Sequence, residues 1–442
     1  METSRILLGI SIALIAGLIS NRLIKLVHLP NVTAYLIVGI LLGPYLFSLF
    51  NENLTGILSK EMVESFGVIV DVALGFIAFS IGSEFKLSSI KRIGKGIISI
   101  TLLQAIAALV FVDVALVIIC LCANNLSENL PVIFTLGAVA TATAPAATLM
   151  VIKQYKAKGP VTDTMLPVLP FDDAVGLILF SISFSIAQVF AKQQAGIGGA
   201  GINIIDILVF PLLEIILSLV IGGLIGFVLS LAMKFFKSRA NRLICMLASV
   251  FLGVALCELC GEIIGLEMSS LLICMMIGAV FCNLRKDAIV IFDGIDRWTP
   301  ALFMLFFILS GAELDFSLIT LPVVGICVVY LIARSLGKYF GARLGCTIEK
   351  KDSNIRKYLG LTLLPQAGVA IGMARSASTT FKTLADNAIL DNIAFSGYNY
   401  LYNIAGTITA VVLCATLVYE LVGPVITKIA LTKAGEIETT KN

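Results

Sequence analysis

Two adjacent carboxylates lie inside an otherwise apolar stretch of the chain. Asp172 and Asp173 belong to a predicted helix that starts near Val161, and Asp173 is about 18 Å along it. An acid at this depth in a bilayer costs at least a few kcal/mol, so such residues are functional by default. Burial favours the neutral form of a carboxylate, and either a proton or a monovalent cation neutralises it. We therefore predict that Asp173 and Asp172 bind ions and protons.

Two further predicted helices are interrupted by proline near mid-membrane. The first carries Thr141, Thr143 and Pro145, and the second carries Pro365 and Gln366. Proline removes one amide donor from a helix, which frees a backbone carbonyl. Broken backbone at membrane depth persists only where it is buried in protein or lines a wet cavity. We predict that both breaks contribute to the ion site, a simple proline kink being the alternative.

One basic residue lies at a matching depth. Arg334 is about 16 Å from the same end of its helix, counted from Gly345. Lys338 and the basic residues after it are assigned to the adjoining cytoplasmic loop. Pairing reduces the burial cost of both charges, so we predict an ion pair between Arg334 and one aspartate. A guanidinium that reaches back to the membrane surface is the alternative.

Composition indicates that these residues belong to an all-α polytopic membrane protein. Of 442 residues, 59% are hydrophobic and only 13% are charged, whereas soluble chains carry about 25% charged residues. Thirteen stretches are long and apolar enough to form transmembrane helices. Basic residues favour one side by roughly five to one. This bias predicts a multi-pass protein of the cell inner (plasma) membrane, with the amino terminus outside and the carboxyl terminus cytoplasmic. The net charge of +3 suggests no nucleic-acid partner.

A short motif occurs twice in the chain. Residues 82–85 and 311–314 both read G-[SA]-E-[FL], each at the end of a predicted span. The two spans end on opposite sides of the membrane, so the copies are inverted. Inverted repeats with interrupted helices in corresponding positions are typical of secondary transporters. Chance similarity between short apolar strings is the alternative.

Together these motifs resemble the monovalent cation:proton antiporters, in particular the Kef- and NapA-like sodium/hydrogen exchangers. The resemblance covers nearly the whole chain and rests on residues 29–44, 141–145 (T-A-T-A-P), 171–173 (F-D-D) and 364–372 (L-P-Q-A-G-V-A-I-G). It implies one transporter domain over 1–442 with an NhaA-type antiporter fold, in which two discontinuous helices cross. It also implies a homodimer in the lipid bilayer. The domain divides into dimerisation helices (1–92 and 241–317), core ion-transport helices (93–191 and 318–430), a linker helix (203–235) and a short cytoplasmic tail (431–442).

The same resemblance implies a function. Such a protein exchanges Na⁺, or alternatively K⁺ or Li⁺, for H⁺ by alternating access; it is a secondary transporter, not an enzyme, and needs no cofactor. Asp173 would carry the ion and the proton, while Asp172 would pair with Arg334. Relatives that move net charge tend to have lysine at that position. Because arginine does not lose its proton, Arg334 predicts one-for-one, electroneutral exchange.

Two other functions use similar residues. A sodium-coupled solute symporter could share the fold, and it would need a roomy polar cavity for an organic substrate. An intramembrane aspartyl protease also needs aspartates in the membrane, but on separate helices that face each other. Asp172 and Asp173 are adjacent and lack the usual G-x-G-D context, which makes the protease the more distant alternative.

Overall fold

The protein is described by a computed structural model that contains helices and, in the part of the chain that it describes, no strand. The described residues are 2–27, 31–48, 56–83, 85–87, 95–197, 210–264, 268–285, 299–315, 320–390 and 395–437, together with Asp287, Ala288, Ile291, Phe292, Gly294, Arg297 and Ser317. Glu84, which belongs to the first copy of the repeated motif, and the last five residues of the predicted tail lie outside them. So does part of the predicted linker segment.

The helices are given in two series, those before and those after residues 198–209, which lie outside the described residues. The first series comprises α1 (Glu2–Val27), α2 (Asn31–Leu42), α3 (Tyr45–Ser48), α4 (Lys60–Ser65), α5 (Gly67–Ser83), α6 (Lys95–Cys122), α7 (Leu126–Val139), α8 (Pro145–Tyr155) and α9 (Pro160–Gln194). The second comprises α10 (Phe210–Phe235), α11 (Arg239–Ile264), α12 (Ser270–Leu284), α13 (Pro300–Ala312), α14 (Leu321–Ile348), α15 (Ser353–Thr362), α16 (Gly368–Leu390) and α17 (Phe395–Lys433).

Most of these helices contain a long apolar stretch. Seven of those described, α1, α6, α9, α10, α11, α14 and α17, are long and apolar enough to cross a membrane, and α2, α5, α7, α12 and α13 are shorter apolar helices. Large apolar side chains such as Val114, Ile118 and Val228 are exposed on the outside of the bundle. Water would penalise such a surface, whereas lipid does not. The chain is therefore a multi-pass membrane protein.

Glycines allow the closest helix contacts. On α2, a Cβ at Gly39 would meet the backbone of Ile308 and Ala312 on α13. On α5, a Cβ at Gly82 would meet the backbone of Met275 and Ala279 on α12. Small residues let membrane helices pack backbone against backbone, so α2 is held to α13 and α5 to α12. Each pair joins one helix from the first series to one from the second.

A third glycine seam joins α6 to α14. Gly337, Gly341 and Gly345 recur every four residues and therefore share one face of α14. A Cβ at Gly341 would lie 2.7 Å from the Cα of Gln104 and 2.8 Å from the carbonyl oxygen of Leu103. Both contacts are with backbone, which cannot turn aside. The seam therefore fixes the distance between α6 and α14, the two helices that contribute Gln104 and Lys338 to the site described below.

Substitution of Gly341 by alanine is expected to destabilise the protein by about 1–3 kcal/mol, because the added methyl group forces the backbones apart. Gly325→Ala on the same helix is the matched control, since a Cβ there meets no described atom within 4 Å. The comparison is the apparent unfolding midpoint of both purified variants in one detergent. Equal midpoints for Gly341→Ala and Gly325→Ala would show that the seam is not tightly packed.

Glu436, just after α17, packs against the start of α9. The Glu436 carboxylate accepts hydrogen bonds from the backbone N–H groups of Val161 (2.6 Å) and Thr162 (2.9 Å). Helix N-termini present unpaired N–H groups and favour negative charge. Gly159, at φ +155°, passes so close to Glu436 that a Cβ would lie 2.6 Å from its Cδ. The segment predicted as a short tail from 431 thus begins within α17, which ends at Lys433, and then caps the helix that carries Asp172 and Asp173.

Candidate ion-binding site

The first predicted break lies between α7 and α8. Helix α7 ends at Val139, α8 begins at Pro145, and residues 140–144 between them are non-helical and buried. In a continuous helix, the carbonyl of Thr141 would accept a hydrogen bond from the N–H of residue 145. Proline has no N–H, but its fixed φ suits the first turn of a new helix. Pro145 therefore starts α8 and leaves the carbonyls of residues 140–142 without helical partners.

The second predicted break lies between α15 and α16, over residues 363–367. The two breaks meet: the N–H of Ala144 donates to the carbonyl of Pro365 (2.8 Å), and the amide of Gln366 donates to the carbonyl of Val139 (2.9 Å). The hydroxyl of Thr143 donates to the carbonyl of Leu363 (3.3 Å). These bonds satisfy part of the polar backbone that membrane burial would otherwise leave unpaired.

Arg334 lies at this junction, but it does not contact an aspartate. It is fully buried on α14, where Nε donates to the carbonyl of Ala140 (3.0 Å), Nη2 to Ala142 (2.6 Å) and Nη1 to Leu364 (2.7 Å). All three carbonyls belong to the broken segments. The prediction of an ion pair between Arg334 and an aspartate is therefore wrong. The guanidinium instead stabilises the carbonyl ends of α7 and α15, where the helix dipoles are negative.

The ion-pair partner of Asp172 is Lys338. Its Nζ lies 2.8 Å from Oδ2 of Asp172 and donates to the hydroxyl of Thr143 (2.9 Å) and to the carbonyl of Thr141. Both members of the pair are completely buried. Helix α14 continues to Ile348, so Lys338 lies inside the protein and not in the loop to which the sequence assigned it. Lys338 follows Arg334 by one helical turn and therefore shares its face.

Asp173 occupies a different position from Asp172. The amide of Gln104 donates to Oδ1 of Asp172 while Lys338 holds Oδ2, so both oxygens of that carboxylate are engaged. Asp173 is 5% exposed, and the backbone N–H of Thr143 lies near its carboxylate. Its Oδ1 has no hydrogen-bond partner among the described residues. Adjacent residues on a helix point about 100° apart. This difference in direction explains why Asp172 is paired with Lys338 while Asp173 is not.

The remaining predicted residues lie close to this centre. The hydroxyl of Thr141 donates to the carbonyl of Ala138 (2.7 Å), and a Cβ at Gly176 on α9 would lie 3.0 Å from that hydroxyl. The oxygen of Gln366 accepts from the hydroxyl of Tyr330 (3.1 Å). The structure thus brings together the breaks, both threonines, both aspartates and Arg334. No cluster of three metal-binding His, Cys, Asp or Glu side chains occurs among the described residues.

Sequence reasoning missed two residues of this centre, Gln104 and Lys338. Each had a signal. Gln104 is a fully buried amide within the long apolar helix α6, and polar groups at such positions are usually functional. Lys338 is four residues after Arg334, the spacing that places two side chains on one helical face.

Four buried charges form the centre: Asp172, Asp173, Arg334 and Lys338. Lys338 is bound to Asp172, and Arg334 is bound to backbone carbonyls. Asp173 is left without a side-chain cation as a direct partner among the described residues. Broken helices that meet at charged groups within a membrane bundle are the arrangement of secondary transporters, and this is the class of protein that the fold and the site define.

Comparison with known families agrees with this class. The model of the transmembrane sodium/hydrogen exchanger family matches residues 10–433. The chain therefore belongs to the sodium/hydrogen exchanger family, as the resemblance of its motifs to cation:proton antiporters predicted. Proteins of this family are transporters and not enzymes.

Two solved structures of the sodium proton antiporter MjNhaP1 from Methanocaldococcus jannaschii have a similar fold. The structure at pH 8 has a TM-score of 0.70 at 19% sequence identity, over 98% of this chain and 99% of that chain. The second, an electron-microscopy structure, has a TM-score of 0.68 at 18% identity, over 98% of each chain. No curated protein sequence matches this chain. At these identities the likeness concerns the fold alone.

Proposed function

We propose that the protein is a secondary active antiporter that exchanges a monovalent cation for H⁺ at Asp173 by alternating access. Na⁺ is the first candidate, with K⁺ and Li⁺ as alternatives. One observation carries this proposal: Asp173 is a buried carboxylate with an unpartnered oxygen among the described residues, whereas its neighbour Asp172 is fully engaged. A buried carboxylate needs a compensating charge or proton. A cation and a proton each supply this, so they compete for one site.

Competition at one carboxylate couples the two ions. If Asp173 crosses between the two sides of the membrane only when it is neutralised, each cation that moves in one direction returns at least one proton in the other. The crossed breaks suit this role, because the backbone N–H of Thr143 reaches Asp173 while Arg334 and Lys338 hold the freed carbonyls. These contacts hold the buried, non-helical segments in place before an ion binds.

The division into core and dimerisation helices is also part of the proposal. The packing of α2 on α13 and of α5 on α12 supports the dimerisation group. The packing of α6 on α14 supports the core group. Arg375 on α16 pairs with Glu313 after α13, which joins the two groups. Thirteen membrane crossings result if α7 with α8, and α15 with α16, each count as one interrupted crossing. We propose that a homodimer forms through the dimerisation helices. We also propose that the amino terminus lies outside the cell.

The stoichiometry changes with the corrected ion pair. Electroneutral exchange was expected because Arg334 took the place of a lysine, but Lys338 is the residue bound to Asp172. Lysine can lose its proton when buried, whereas arginine does not. Release of a proton from Lys338 would free Asp172 as a second ligand for the cation. We therefore propose that exchange moves net charge, two protons against one monovalent cation.

Proton flux in liposomes tests this function. Purified protein is reconstituted with a pH-sensitive dye inside, and NaCl, LiCl or KCl is added outside. Antiport predicts proton movement with at least one cation in the absence of any organic solute, and an imposed membrane potential should alter its rate. No proton flux with any of the three cations would refute antiport. Cation uptake that requires an organic solute would identify the symporter instead.

A further inference from the structure

Gln104 is placed between the two helices that supply the charged side chains of the site. It is fully buried on α6, and its Cα faces Gly341 across the glycine seam of α14. Lys338 lies one turn before Gly341 on that helix. The side chain of Gln104 thus approaches Asp172 from α6 and that of Lys338 from α14, and the two engage different oxygens of the carboxylate.

The orientation of the Gln104 amide follows from its neighbours. Its Nε2 donates to Oδ1 of Asp172 and to the carbonyl of Thr101 (3.1 Å). Both partners are acceptors, so a flipped amide would place oxygen against oxygen. The two N–H groups are therefore committed, and the carbonyl oxygen Oε1 must point elsewhere.

That oxygen is buried and has no hydrogen-bond partner within the described part of the chain. The same is true of Oδ1 of Asp173, the residue next to Asp172. The ammonium group of Lys338 already has three acceptors, and the Arg334 guanidinium is directed to three backbone carbonyls. Buried acceptors without donors are unfavourable. Two such oxygens occur here, one on the residue bonded to Asp172 and one on the residue that follows it, and a cation could satisfy both.

We propose that the carbonyl oxygen of Gln104 is a direct cation ligand, together with Asp173, and that it sets the preference among monovalent cations. This inference rests on the proposed antiport function. Amide and carboxylate oxygens are the ligands that hard cations prefer. A neutral amide oxygen adds coordination without adding charge, so protonation of the site can still displace the ion. The length of the side chain fixes how far this oxygen reaches.

Two substitutions separate a ligand from a residue that only positions Asp172. Gln104→Leu removes the amide at similar volume, and it is expected to raise the half-saturating cation concentration about tenfold, the effect of one lost polar contact. Gln104→Asn keeps the amide but withdraws its oxygen by one methylene group. It is expected to change the ratio of half-saturating Na⁺ and K⁺ concentrations at least about threefold, because the enlarged site favours the larger ion. Gln188→Leu, a buried glutamine further along α9, is the matched control.

The readout is proton flux in liposomes against cation concentration, with variants that elute as single species of wild-type size. A residue that only positions Asp172 would weaken all cations by the same factor. Unchanged Na⁺:K⁺ ratios in Gln104→Asn would therefore overturn the ligand role while leaving antiport intact. Absence of proton flux in the wild-type protein would instead refute the proposed function, so the two failures can be told apart.

Discussion

Replacement of Asp173 by asparagine is expected to reduce cation-driven proton flux at least ~100-fold, because the charge that binds the cation at low dielectric is worth several kcal/mol. Asparagine has nearly the same size, so the packing of α9 is preserved. Its amide cannot take up a proton near neutral pH and carries no charge for a cation. Both halves of the exchange are lost with this single change.

Folding should survive this substitution. Asp173 has no side-chain cation in direct contact among the described residues, so neutralising it removes a buried charge without leaving another unpaired. The variant is therefore expected to be as stable as the wild-type protein or more so. Loss of flux together with a retained unfolding midpoint would locate the defect in the site and not in the fold.

The matched control is Asp163→Asn. Asp163 is an exposed acid in the first turn of the same helix, α9. The substitution makes the same change of charge at the end of the helix, where water screens it. Flux of Asp163→Asn should stay within about twofold of wild type, since exposed charges contribute little. Exchange at the wild-type rate by Asp173→Asn would contradict the proposal that Asp173 binds the exchanged cation and proton.

Much of the site could be predicted from the sequence, because the free-energy costs of burying its acids and interrupting its helices depend on the residues of a single segment. A pair of acids in an apolar helix is unfavourable wherever that helix packs, so Asp172 and Asp173 were identifiable without a fold. A proline also interrupts helical bonding whatever surrounds it. The structure has a helix break before Pro145 and another around Pro365. Both breaks lie in the segments for which the sequence predicted an interruption.

The pairing of charges could not be predicted, since it depends on how helices face one another. Depth alone placed Arg334 near the aspartates, but depth does not fix the rotation of α14 about its axis. The glycine seam at Gly341 fixes that rotation, and it directs Lys338 to Asp172 and Arg334 to the broken segments. Gln104 was missed for the same reason, because its role exists only once α6 lies against α14.

Removal of Lys338 is expected to have a large effect on stability. Lys338→Met leaves Asp172 buried with no cation bound to it, and breaking a buried pair in this way costs about 3–5 kcal/mol. The apparent unfolding midpoint in detergent should therefore fall by several degrees. Proton flux should also fall, because the hydroxyl of Thr143 and the carbonyl of Thr141 lose their donor.

The control uses a salt bridge of almost equal length at the surface. Arg285 and Asp287 are 2.9 Å apart, against 2.8 Å for Lys338 and Asp172, but their side chains are 19% and 39% exposed. Exposed pairs contribute about 0–1 kcal/mol. Arg285→Met should therefore leave the midpoint almost unchanged. Equal losses in the two variants would show that burial does not set the energy of the Lys338 pair.

A double variant then separates the pair's contribution to folding from its contribution to transport. Lys338→Met combined with Asp172→Asn removes both charges, and such neutral replacements are often as stable as the original pair. The midpoint should recover most of what Lys338→Met alone loses. Exchange, in contrast, should remain impaired, because the neutral pair can no longer release a proton or add a second carboxylate to the cation. Recovery of both stability and charge-moving exchange would mean that Lys338 serves only the fold, and that a group other than Lys338 carries the second proton.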